Sequence, residues 1–148
     1  MAEIGLAASL LQIAGAGIKL SLTLYEFGAT VSVAGEEVAF IAKNVTLYSG
    51  VLQALAQRLK SEGAVHSLEA LNLASDIEGQ SHVIFKKIEK LLPSPHPRHN
   101  SISLLQRIAW NFKKPRVEHL VGQLEYLKST TSLLVQVLFT GELSKVHR

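Results

Sequence analysis

Val38, Ile41, Val45, Tyr48, Leu52, Leu55 and Leu59 recur at strictly alternating intervals of three and four residues. That spacing keeps all of them on one side of an α-helix. A strand, whose faces alternate every second residue, would scatter them. The pattern returns at Val117, Leu120, Leu124, Leu127, Thr131, Leu134 and Leu138. A third stretch carries Ile77, Ile84, Ile88 and Leu91, with Ser81 at the seam position between the first two. Long helices with such seams can bury them only against other helices. The expected fold is all-α: an antiparallel bundle of four to five helices with an apolar N-terminal helix. The 148 residues suffice for one core, so a single domain over 1–148 is expected.

Punctuation along the chain predicts helices over about 3–27, 35–60, 66–92, 101–113 and 115–139. The first should stop near Gly28. Glu36 and Glu37 suit the first turn of the second helix, Arg58 and Lys60 suit its last turn, and Gly63 follows it. Pro93, Pro95 and Pro97 enforce a loop, because each fixes φ and removes a donor. Ser101 is the expected N-cap of the fourth helix, Pro115 suits the first turn of a fifth, and Gly141 should end it. Gly50, Gly79 and Gly122 fall inside helices, where each costs roughly 1 kcal/mol relative to Ala. Close helix approach would explain them, and so would a bundle built to open.

The N-terminal helix is unusual. From Ile4 to Tyr25 the chain reads IGLAASLLQIAGAGIKLSLTLY, with Lys19 its only charge. Such a helix is about 33 Å long, close to the roughly 30 Å hydrocarbon thickness of a bilayer. Lys19 lies near one end, where it can snorkel. Gly5/Ser9 and Gly17/Ser21 are small residues four apart, a spacing that permits close helix contact in lipid. A buried bundle helix satisfies the same composition. The seams of the other helices favour that arrangement at rest, with helix 1 at the centre of a soluble bundle. The candidates for membrane insertion on release are Ile4, Leu6, Leu10, Leu11, Ile13, Ile18, Leu20, Leu22 and Leu24. The start of the chain is not that of a secretory signal, since Glu3 is the only early charge.

Charge is segregated. Between Lys86 and Arg116 lie Lys86, Lys87, Lys90, Arg98, Arg107, Lys113, Lys114 and Arg116 against Glu89 alone. That is +7 in a chain of net +3, so the rest carries −4. Such segregation implies an anionic partner. These eight residues, with Trp110 in the amphipathic string Ile108–Lys114, are candidates for binding anionic lipid headgroups. Each cation near an anionic leaflet contributes about 1 kcal/mol. Nucleic acid is disfavoured, since neither an aromatic ladder nor a recognition-helix pattern accompanies the cations.

Signs of catalysis are missing from the sequence. There is no cysteine, and so no thiolate chemistry or Cys-based zinc site. Gly15-Ala16-Gly17 lies inside an apolar helical run and lacks the strand and the Lys-Ser/Thr of a phosphate loop. The six histidines are not spaced as a ligand set, and His96 and His99 sit in a Pro-rich loop without an acidic neighbour. The chain is therefore read as a non-enzyme with no catalytic residue, cofactor or metal.

Three stretches together resemble the HeLo-like N-terminal domains of fungal STAND proteins, the NLR-like signalling NTPases. They are AEIGLAASLLQIAGAGIKL, then IAKNVTLYSGVLQALAQRL, and LLQRIAWNF followed by VEHLVGQLEYLKSTTSLLVQVL. The resemblance covers nearly the whole chain. It implies an all-α bundle related to the HeLo domain and to the four-helix bundle of mixed lineage kinase domain-like protein. It further implies a membrane-targeting cell-death effector of an immune or incompatibility system, usually joined to a downstream nucleotide-binding oligomerisation domain. The family's glycine-rich N-terminal helix corresponds to Ile4–Leu24. With only Glu3 and Lys19 as flanking charges, interfacial insertion is favoured over a full span. The expectation is a domain that is cytoplasmic at rest, self-associates on activation and then engages anionic lipids of the plasma membrane. The alternative is a homotypic or adaptor interaction module without membrane activity.

Overall fold

The computed structural model describes residues 2–30, 35–61, 66–92 and 104–146; for residues 2, 30, 35, 91, 104–114, 117 and 140–146 it describes the backbone alone. The chain forms four helices: α1 (Ala2–Thr30), α2 (Gly35–Lys60), α3 (Leu68–Leu91) and α4 (Leu104–Val146). No strand occurs among the described residues. The fold is all-α, with its core where the seams predict it. Val38, Ile41, Val45, Tyr48, Leu52, Leu55 and Leu59 are all buried, as are Ile77, Ser81, Ile84 and Ile88. From α4, Leu120, Leu124, Leu127, Thr131, Leu134 and Leu138 join them.

Named pairs fix the helix directions. Gly17 of α1 lies against Ser49 of α2 and Phe85 of α3. Ser9 of α1 donates a 2.6 Å hydrogen bond to Glu78 of α3. Moving from Ser9 to Gly17 along α1 is thus matched by Glu78 to Phe85 along α3, so α1 and α3 run parallel. Tyr48 and Arg58 of α2 meet Thr131 and Phe139 of α4 in the same sense, so α2 and α4 are parallel too. The connection between α1 and α2 is far too short to span the length of either helix, which makes that pair antiparallel. It follows that α3 and α4 are antiparallel. Neighbours in space are α1–α2, α2–α4, α4–α3 and α3–α1, a square in which the α2–α3 connection crosses the diagonal.

Four expectations are corrected. Helix α1 is not central: it occupies a corner between α2 and α3, and 39% of its apolar stretch is buried against 50% for α2. Gly28 does not end α1; it is a buried position two residues before the helix stops. The break expected between 113 and 115 is absent, because α4 runs unbroken through Pro115. Pro115 is exposed, so its ring is accommodated without displacing core side chains, and its fixed φ is already helical. The helix also continues past Gly141, since glycine permits a stop but enforces one only when the next residues cannot continue. Ser101, Gly63 and the 93–100 loop lie outside the described residues.

The helix ends carry the expected charges, Glu36 and Glu37 in the first turn of α2 and Arg58 and Lys60 in the last. The well-formed cap is Ser67, whose Oγ accepts from the Ala70 amide at 3.1 Å at the start of α3.

One polar layer interrupts the apolar core. The Tyr48 hydroxyl shares a 2.5 Å hydrogen bond with Ser81 Oγ, which also donates to the Ile77 carbonyl. Burial pushes the Tyr48 phenol above its ordinary pKa, partly offset by the hydroxyls of Ser81 and Thr131 beside it. Thr131 is fully buried, and its Oγ1 closes no hydrogen bond of good geometry. The Tyr48 ring packs edge-on to Phe85, with centroids 5.9 Å apart.

Candidate functional site

Helix α1 carries two apolar seams. The inner one is Ala7, Leu10, Ala14, Gly17, Ser21, Leu24 and Gly28, spaced three and four, and every member is buried. Most are small, which lets α1 lie close to α2. On α2 the facing small residues Ala42, Ser49 and Ala56 are buried at seven-residue intervals. With Gly17 against Ser49, an antiparallel register puts Leu10 level with Ala56 and Leu24 level with Ala42. At Gly17 the approach is so close that a Cβ would meet Ser49 Oγ and lie 2.7 and 2.8 Å from two Phe85 ring carbons. Glycine is required there by space.

Gly50, Gly79 and Gly122 are different: a Cβ at any of them meets nothing within 4 Å. Close approach therefore does not explain them. Gly79 and Gly122 instead help line a shallow groove between α3 and α4, shared with Val83, Tyr126, Lys87 and His119.

The outer seam of α1 was not read from the sequence. Ile4, Ala8, Leu11, Gly15, Ile18, Leu22, Tyr25 and Ala29 are also spaced three and four, one residue on from the inner seam and so about 100° around the helix. All but half-buried Leu11 are exposed, with Ile4 at 61% and Leu22 at 58%. The spacing itself was the available signal. It was hidden because the whole segment is apolar, so no polar face marked where one seam ended and the other began.

The nine insertion candidates therefore divide. Leu10, Ile13, Leu20 and Leu24 are buried in the bundle, Leu6 and Leu11 pack partly against it, and Ile4, Ile18 and Leu22 face outward. Of the two small-residue pairs, Gly17/Ser21 serves the inner seam. In the other, Gly5 is exposed and Ser9 is tied to Glu78.

Among the cations, Lys86, Lys87 and Lys90 are exposed on the C-terminal half of α3, and Arg116 is exposed on α4. The antiparallel α3–α4 pair brings them to one end of the bundle. Because α1 is parallel to α3, the same end holds Ile18, Leu22 and Tyr25. Lys86 forms an exposed 3.8 Å ion pair with Glu89, which reduces its availability to an external anion. The side chains of Arg98, Arg107, Trp110, Lys113 and Lys114 lie outside those described. Among the described residues no group of His, Asp or Glu side chains is arranged to hold a metal ion.

Two helices, over Glu3–Ala29 and Glu36–Lys60, are long and apolar enough to cross a bilayer by length and composition. Buried bundle helices meet the same criterion. Compared with family models, curated proteins and solved structures, the chain matches none.

Proposed function

We propose that this chain is a non-enzymatic, membrane-acting helical bundle, a cell-death effector domain of the kind found in HeLo-like fungal STAND proteins. One observation supports it most. A helix apolar around most of its circumference, and as long as a bilayer is thick, has its C-terminal half at the same end of the bundle as Lys86, Lys87, Lys90 and Arg116. In this reading the domain is cytoplasmic at rest. A downstream nucleotide-binding oligomerisation domain concentrates it at the plasma membrane, where the cations engage anionic headgroups. Helix α1 then exchanges protein contacts for lipid and permeabilises the bilayer. No nucleic acid, metal or cofactor takes part.

Leakage from vesicles containing anionic lipid tests this directly. The protein, forcibly oligomerised through a fused tag, is expected to release vesicle contents. Replacing Lys86, Lys87, Lys90 and Arg116 with Gln, or adding salt, should weaken vesicle binding. Absence of both binding and leakage by the oligomerised wild type sinks the proposal.

A further inference from the structure

The outer seam of α1 is an uncovered apolar stripe, and because any face of an α-helix repeats at three and four residues, either lipid or a second helix can cover it. Here large side chains (Ile4, Leu11, Ile18, Leu22, Tyr25) and small ones (Ala8, Gly15, Ala29) keep an unbroken heptad over the exposed helix. A second helix can pack along such a repeat, its knobs finding a hole every 3.5 residues.

The flanking charges indicate which helix. Lys19 and Glu26 follow Ile18 and Tyr25 directly, seven residues apart on the same edge of the seam. Both are exposed, and neither forms an ion pair with another described residue. The other edge is the buried inner seam, which carries no charge. Two copies of α1 laid antiparallel about a two-fold axis near Leu22 overlap over residues 15–30 and bring Lys19 of each copy to Glu26 of the other. A parallel pair would set each charge against the partner's uncharged, buried edge. The seam also points away from the residues through which α1 meets α3 (Ser9, Ile13, Ala16 and Leu20), so it is a separate surface from the lysines. An acidic Glu26 on its edge suits a protein partner better than an anionic membrane.

We infer that the C-terminal half of the outer seam, from Gly15 to Ala29, is a homodimer interface, closed by a second copy of this chain with its α1 antiparallel. The interface is isologous, so each copy uses the same patch and the assembly stops at two. This inference stands apart from the membrane reading.

The test is oligomeric mass by sedimentation over a concentration series, without lipid. The wild type should be a dimer that dissociates on dilution. Leu22→Glu, at an exposed site, should be monomeric with unchanged helical circular dichroism and thermal midpoint. Lys19→Glu alone and Glu26→Lys alone should each weaken dimerisation about tenfold, because two symmetric pairs turn repulsive. The double reversal should restore it, which general stickiness does not predict. A wild type that stays monomeric at the highest concentration overturns the inference, as does a dimer indifferent to Leu22→Glu. A monomeric wild type whose vesicle binding is abolished by Leu22→Glu assigns the seam to lipid and also overturns it. Loss of leakage in the lysine-to-glutamine variant leaves dimer mass unaffected, so the two proposals fail separately.

Discussion

Replacing Gly17 with Ala sets two opposed effects against each other. Alanine in a helix interior is favoured over glycine by about 1 kcal/mol, because glycine loses more backbone freedom on folding. Against this stands the space at the α1–α2–α3 junction. The added methyl would lie 2.7 and 2.8 Å from two carbons of the Phe85 ring and would also meet Ser49 Oγ. The hydroxyl, which donates to the Val45 carbonyl at 2.8 Å, can rotate aside. The ring cannot easily do so, since it is buried and packed edge-on to Tyr48. Overpacking of this kind costs typically 1–3 kcal/mol, so the net effect is a loss of up to about 2 kcal/mol and a fall of up to several degrees in Tm. Gly15 is the control. It lies two residues away on the same helix with nothing within 4 Å of its Cβ, so Gly15→Ala should gain about 0.5–1 kcal/mol. Urea unfolding of both variants, followed by circular dichroism, measures the difference. Ser49→Ala combined with Gly17→Ala should recover part of the loss, as coupled neighbours do. If Gly17→Ala proves as stable as Gly15→Ala, α1 does not pack against α2 and α3 as closely as described.

Three further outcomes follow from the core and the caps. Thr131→Val removes a fully buried hydroxyl that closes no good hydrogen bond and keeps the shape, so it should raise stability by about 1 kcal/mol in the same urea assay. The Tyr48 phenol has a folded pKa above its unfolded value, so its contribution is intact below about pH 10 and is lost as pH rises through the folded pKa. Tyr48→Phe should therefore show a smaller loss of stability than the wild type across that alkaline window, at the cost of about 1 kcal/mol near neutrality for the bond to Ser81. Ser67→Ala should cost about 1 kcal/mol by removing the cap on the Ala70 amide, with Tm as the readout.

The seams of α2, α3 and α4 were legible because each sits between polar flanks, so the spacing alone identifies the buried face. Val38 through Leu59 needed nothing else. Helix α1 lacked that contrast, and its place in the bundle could not be read from its apolarity. The missing information was pairwise: Gly17 is required by Ser49 and Phe85, which are distant in the chain. The Pro115 and Gly141 boundaries failed for another reason. Both residues weaken a helix without forbidding it, and at Pro115 the exposed position makes the cost tolerable. The basic end was visible as a charge run. That its described members gather at one end, together with the C-terminal half of α1, follows only from the parallel pairing of α1 with α3.

The two seams of α1 also set an order of events for any membrane step. The outer seam can be uncovered by separating two copies, with the bundle intact. The inner seam and its flank bury Leu10, Ile13, Leu20 and Leu24. Exposing four such side chains costs roughly 6–12 kcal/mol, which is comparable to the whole stability of a typical domain. Spontaneous release of α1 in water is then tantamount to unfolding and should be rare. Lipid that accepts the same side chains returns most of that cost, so insertion has to be coupled to membrane contact and cannot precede it. Headgroup binding by the basic end must therefore come first, with withdrawal of the inner seam last. Hydrogen exchange distinguishes this order. With anionic vesicles present and the protein not forcibly oligomerised, amides of α1 should stay protected. Early loss of α1 protection, before any vesicle is bound, would show that the inner seam contributes less than its burial indicates.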